Sequence, residues 1–290
     1  MKEPATSEPC GGPLIVCRLP RWLCAWLKPA LPRHHWLGAW LAAGLLSCTA
    51  APPPPPNCSP LPPDSGVRCV RAGSTLAYLL VGPAPADLVL INAGSDPQGT
   101  ALLGAVQAAG RQATDVQAIL LTDGLRTHRA ALAHFPTARV YVGSADLELA
   151  HDRQLPAALW PRLTHRWGQR PPAAAVDVVL PGTLLHLGSL QVHAVNLSGF
   201  TAGSMGYVYQ GIGFVGHSLH LAPGRCQLWP KPWSARPADT CRALGRLQKL
   251  APQWVADSTY GAISTAMTVG RGTCTIFAGC KIGAPVPYWP

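Results

Sequence analysis

Of ten cysteines, the six beyond Cys48, namely Cys58, Cys69, Cys226, Cys241, Cys274 and Cys280, are the side chains whose type and number first imply chemistry. An even set of thiols in an oxidising compartment pairs by default, and closeness in sequence favours Cys58 with Cys69, Cys226 with Cys241 and Cys274 with Cys280. No Cys-x-x-Cys spacing occurs, so a thiolate metal site is disfavoured. His134, His151, His165, His186, His193 and His220 show no metal-ligand spacing among themselves. Leu228 to Trp233 (LWPKPW) places two tryptophans around a Pro-Lys-Pro turn. It reads as a stiff surface loop, with stacking on a sugar or a partner as the alternative.

The oxidising compartment is implied by the first part of the chain. Lys28, Arg33, His34 and His35 precede an apolar run, Trp36 to Leu46, that ends at Ser47-Cys48. At ~1.5 Å per residue the run is far shorter than the ~30 Å hydrocarbon core, which suits a signal peptide and not a spanning helix. Leu45-Leu46-Ser47-Cys48 resembles the lipobox of bacterial lipoproteins, which implies acylation of Cys48. Residues 51–63 (APPPPPNCSPLPP) follow as a polyproline-like spacer outside the core. The expected organisation is residues 1–47 as signal peptide with an N-terminal extension, 48–66 as lipidated Cys and tether, and 67–290 as one domain. The expected location is the bacterial cell envelope, lipid-anchored, periplasmic or surface-exposed.

The elements that must position any site are those of a globular α/β domain. The chain is 48% hydrophobic and 12% charged, and its net charge of +10 is spread without basic runs, which argues against nucleic acid as a partner. STLAYLLVG and DLVLINAG read as two strands in a hairpin-like arrangement. A helix follows from Asp96-Pro97, with Leu102, Leu103, Val106 and Ala109 on one face. VQAILLT at 116–122 reads as a buried strand, Arg129 to His134 as a short helix, and ARVYVG as a strand. The second half returns to strands at VDVVL, TLLHL, LQVHAVNL, MGYVYQ and GIGFVG. A last helix is expected over Ala238 to Leu250, with Leu244, Leu247 and Leu250 inward, then a strand at Trp254 to Ala256.

Several phrases carry a resemblance. Ile91-Asn92-Ala93-Gly94 follows an early strand, and Leu121-Thr122 runs into Asp123-Gly124-Leu125-Arg126-Thr127-His128. Later come Leu197-Ser198-Gly199-Phe200-Thr201-Ala202-Gly203-Ser204, Phe214-Val215-Gly216-His217-Ser218, and Asp257-Ser258-Thr259-Tyr260-Gly261. Over about residues 70 to 265 the chain resembles the metallo-β-lactamase superfamily, which implies an α/β fold, an αββα sandwich of two facing mixed sheets flanked by helices.

At the positions where that family places metal ligands, the chain reads Asp123, Leu125, Thr127, His128, Phe200, His217 and Thr259 or Tyr260. Only His128 keeps the family's residue type. Leu125 and Phe200 have no lone pair to offer, so a dinuclear site is not expected and the family's acidified water is not made. The first reading is therefore a pseudoenzyme without cofactor, used for binding an envelope partner or small ligand, or as a structural component. The alternative is a hydrolase with one zinc ion on a rearranged Asp123, His128, His217 triad, resembling catalytic sites of two histidines and a carboxylate. Blander roles exist for each: Asp123 as a turn residue, His128 as a helix-start side chain, His217 as a solvated loop histidine. An Asp123 and His128 acid–base pair without metal is a further possibility.

Overall fold

Two six-stranded sheets face each other, each built from alternating side chains that feed an inner and an outer layer. The computed structural model describes residue 58 and residues 61–167, 175–222 and 225–265. Cys48, Cys274 and Cys280, with the expected leader, lie outside the described residues. Among the described residues no helix is long and apolar enough to cross a membrane.

The first sheet runs in order through β1 (Val67–Ala72), β2 (Thr75–Val81), β3 (Leu88–Ile91), β4 (Ala118–Leu120), β5 (Arg139–Gly143) and β6 (Val176–Val179). β1, β2 and β3 pair antiparallel, and β3 through β6 pair parallel. Parallel neighbours need crossovers. The first is α1 (Thr100–Ala108), which starts where Asp96 accepts hydrogen bonds from the N–H groups of Gln98 and Thr100 (3.0 and 3.3 Å). The expected helix over Arg129 to His134 is instead two short 3₁₀ turns, Arg126–His128 and Leu132–His134. The segment is too short to recover the cost of nucleating an α-helix. α2 (Leu147–Ala150) and α3 (Leu159–Trp167) follow β5 and were not expected.

The second sheet has the order β14-β13-β10-β9-β8-β7, built from β7 (Leu184–Leu187), β8 (Leu190–Asn196), β9 (Met205–Tyr209), β10 (Ile212–Gly216), β13 (Trp254–Asp257) and β14 (Ala262–Ser264). A small hairpin, β11 (His220–Ala222) with β12 (Arg225–Gln227), and the helix α4 (Pro237–Gln248) intervene before β13. Proline at the first turn of α4 costs no hydrogen bond there. The helix ends earlier than its leucine pattern implies, so Leu250 is exposed and only Leu244 and Leu247 face inward.

Period-two burial explains the layering. Leu76, Tyr78, Leu80, Val89 and Ile91 of the first sheet meet Val192, Ala194, Tyr207 and Phe214 of the second between the sheets. Their neighbours Ala77, Leu79, Leu88 and Leu90 point outward and are covered by Leu102 and Val106 of α1. Val195, Val208, Val215 and Val255 are likewise covered by Leu244 and Leu247 of α4. The αββα expectation is met. Cys58 and Leu61, placed in the tether by sequence, pack against the inner core, and a Cys58–Cys69 disulfide (Cα–Cα 5.9 Å) fixes them to β1. Cys241 is also disulfide-bonded.

Candidate functional site

The site is made where strands of both sheets end. β4 delivers Thr122 and Asp123, and the 3₁₀ turn after it folds His128 back over them. β10 of the opposite sheet ends at Gly216, which holds a left-handed φ of 56°. A Cβ there would come within 2.2 Å of Thr122 Oγ1, so only glycine lets the chain turn His217 toward Asp123.

His128 Nδ1 lies 2.9 Å from Asp123 Oδ1, and His217 Nδ1 lies 2.9 Å from Asp123 Oδ2. Asp123 Oδ1 also accepts the Leu125 N–H at 3.1 Å. The two imidazoles stack with centroids 4.2 Å apart and planes 11° from parallel. The three residues are 1%, 0% and 1% exposed for Asp123, His128 and His217. Asp123 is thus a turn residue and a cluster member at once, while the solvated-loop role for His217 does not hold, because β10 carries it into the interior.

Behind the cluster, Asn92 takes the place of a structural pin. It sits at φ 62°, which asparagine tolerates, accepts the Thr122 N–H at 2.9 Å and donates from Nδ2 to Thr122 Oγ1 at 3.0 Å. Thr122 Oγ1 then lies 3.2 Å from His128 Nδ1. Burial alone would raise the Asp123 carboxyl, but the adjacent His128 and His217 outweigh it and hold Asp123 well below the usual carboxylate range. Burial lowers His128, against the pull of Asp123.

Apolar side chains close the front. Leu125, Leu149, Phe200, Trp229 and Trp233 form one cluster, and Phe200 stacks on His217 with centroids 4.8 Å apart. Trp229 and Trp233 are buried in it while Lys231 and Pro232 between them stay exposed, so the LWPKPW segment is a surface turn whose two tryptophans act as a plug. Trp229 also lies against His220, 4.5 Å between centroids. Of the two candidates after β13, Thr259 donates to Asp257 Oδ2 at 2.5 Å and lies 3.2 Å from His220 Nδ1, whereas Tyr260 packs against the outer cluster under α4. Neither joins the Asp–His–His group. The Thr127 carbonyl accepts from Thr75 Oγ1 at 2.8 Å, and its own Oγ1 is buried with no hydrogen-bond partner.

Two carboxylates missed by sequence reasoning organise the surrounding loops. Asp146 accepts from Gly203 N (2.7 Å), Thr201 Oγ1 (2.6 Å) and Gly124 N (3.0 Å), tying the segment after β4 to the Phe200 segment. Asp257 accepts from the backbone N–H groups of Thr259, Tyr260, Gly261 and Leu221. The signal for both was a lone acidic residue at a strand end beside small residues, which is too common to single out.

The donor set fits one metal ion. A carboxylate and two imidazoles present atoms within 4.8 Å of one another, and the buried His128 Nε2 has no hydrogen-bond partner. Among the described residues no second group of this kind exists.

No family model matches the sequence, and no curated relative does. The backbone, however, is similar to solved structures. One is TTHA1623 in a di-iron-bound form, with TM-score 0.54, 24% identity, and coverage of 71% of this chain and 98% of that one. Another is an archaeal metallo-β-lactamase superfamily protein, ST1585 from Sulfolobus tokodaii, with TM-score 0.54, 19% identity, and coverage of 70% and 82%. A third is a B3 metallo-β-lactamase described as the first with an active-site glutamic acid, with TM-score 0.51, 21% identity, and coverage of 76% and 86%. The chain has the metallo-β-lactamase fold.

Proposed function

We propose that this chain is a non-catalytic protein of the bacterial envelope, a metallo-β-lactamase fold tethered through acylated Cys48 and used for binding or as a structural component. The observation that carries the reading is the closure of the Asp123–His128–His217 cluster: no member exceeds 1% exposure, and Phe200 lies flat against His217. A hydrolytic site must admit both substrate and water to the reacting position. Here an aromatic ring and Leu125 stand in that direction. An ion held by these three residues would tie the two sheets together; three ligands would leave zinc a fourth position, so the burial of the cluster, and not the number of its ligands, is what argues against turnover.

A second reading has its own observation. The partnerless Nε2 of buried His128 is the sort of atom a metal satisfies, and one structural neighbour is described as having an active-site glutamic acid, a carboxylate in a site of this fold. On that reading the chain is a mononuclear hydrolase in which Asp123, His128 and His217 hold the ion, which would supply Lewis acidity. Phe200 would have to move aside for substrate.

The test is the metal content, by mass spectrometry, of the oxidised protein purified without chelator and challenged with zinc, followed by a screen of ester, thioester and lactam substrates. The non-catalytic reading expects no turnover whether or not metal is present. Turnover that disappears in Asp123→Ala together with the metal would establish the hydrolase instead. Membrane fractionation of wild type and Cys48→Ser tests the tether, with release of the variant expected.

A further inference from the structure

The surface beside the aromatic plug exposes three large apolar side chains within one short stretch. Leu155 is 50% exposed, Leu159 56% and Trp160 41%, spanning the loop after α2 and the start of α3. Large apolar side chains scattered singly are ordinary, but three in six residues form a patch that needs an explanation.

The patch is held rigid from below. The Trp160 N–H donates to the Pro232 carbonyl at 2.8 Å, and the Trp160 ring stacks on Trp233 with centroids 5.4 Å apart. Arg162 Nε donates to the Pro156 carbonyl at 2.9 Å, pinning the loop over the first turn of α3. Internal packing therefore sets these positions but leaves the outer faces of Leu155, Leu159 and Trp160 uncovered.

Cations outnumber acids around the patch. Arg162 and Lys231 are exposed beside it, and among the described residues neither has an acidic partner. Arg153 is exposed as well, sharing its charge with Glu148 at 3.5 Å. A tryptophan and two leucines with exposed cations beside them match the chemistry of an anionic bilayer surface, where apolar groups enter the acyl boundary and cations meet phosphate.

We infer that the Leu155–Trp160 patch, with Arg162 and Lys231, is a second membrane contact that docks the folded domain on anionic phospholipid. The inference rests on the envelope location proposed above and names the partner of that location; the acyl group plays no part in the contact. A tether alone would leave the domain free to tumble above the bilayer, whereas this contact would fix which face it turns to the lipid. Anchors of this kind act in pairs because two linked weak contacts hold far longer than either alone.

The experiment is hydrogen exchange of the full chain with vesicles of phosphatidylglycerol and phosphatidylethanolamine, against vesicles of phosphatidylcholine alone. Amides of 153–162 should exchange several-fold more slowly on the anionic vesicles only, while those of α4 stay unchanged. Leu159→Glu and Lys231→Glu should each remove the local protection, and both sit outside the Asp–His–His cluster. Equal protection on both lipids, no protection on either, or protection that grows with protein concentration without vesicles would each overturn the inference, the last by assigning the patch to a second copy of this chain. Because the readout is local to the patch, failure leaves the tether and its fractionation test untouched.

Discussion

His128 and His217 come from loops of opposite sheets, yet they stack at 4.2 Å and each meets a different oxygen of Asp123. One carboxylate thereby joins the two halves of the sandwich. Removing it alone leaves two imidazoles buried with their Nδ1 atoms deprived of that partner. Asp123→Ala should cost about 3–5 kcal/mol. Replacing Asp123, His128 and His217 together with apolar residues should cost far less, since no polar group is then stranded. Urea unfolding of both variants measures this, and equal losses would mean that the cluster is not acting as one unit.

Phe200 is the second structural dependency. It is buried among Leu125, Leu149, Trp229 and Trp233 and covers His217. Phe200→Ala should destabilise by about 3–5 kcal/mol through the cavity left behind. A thermal melt indistinguishable from wild type would show that the plug is not packed as described.

Two buried groups pull the acid response in opposite directions. Burial lowers His165 to about 4, so this imidazole stays neutral when folded, and the stability it gives is lost as pH falls from 6.5 toward 4. Burial raises Asp146 to about 6 despite hydrogen bonds from Thr201, Gly124 and Gly203, so its contribution is present at low pH and is lost as pH rises through 6. Asp146→Asn removes the opposing term. Its urea midpoint should fall more steeply than that of wild type between pH 6.5 and 4, and parallel curves would refute the assignment.

The Cys58–Cys69 bridge closes a short loop, with a sequence separation of 11. Restricting that loop in the unfolded chain is worth roughly 3 kcal/mol. A Cys58→Ser, Cys69→Ser double variant should melt several degrees lower under oxidising conditions, with no difference once both proteins are reduced.

Much of the fold was legible because strands buried on both faces, such as TLAYLLV in β2, are continuous apolar runs between turn residues. β1 was not, since VRCVRA alternates charge with apolar residues at a sheet edge and reads as surface. Leu250 was misplaced because its spacing continues the helical stripe after the helix has stopped. At the site, the Asp123, His128, His217 grouping was suggested by resemblance to a family motif, whereas their mutual stacking and complete burial depend on how two sheets meet. The burial of Trp229 and Trp233 was hidden for the same reason: Pro-Lys-Pro is local information, and the pocket they fill is not.

The Asp123–His217 pair closes across 94 positions of sequence. During synthesis, the first sheet emerges while the strand that delivers His217 is still unmade. Until then Asp123 and His128 face water and the inner surface of the first sheet has no cover. Contacts of such long range are slow to form, so this pair reports completion of the sandwich. A chain stopped before β10 would therefore present its apolar face to chaperones and proteases, and the arrival of one histidine marks the moment at which it no longer does.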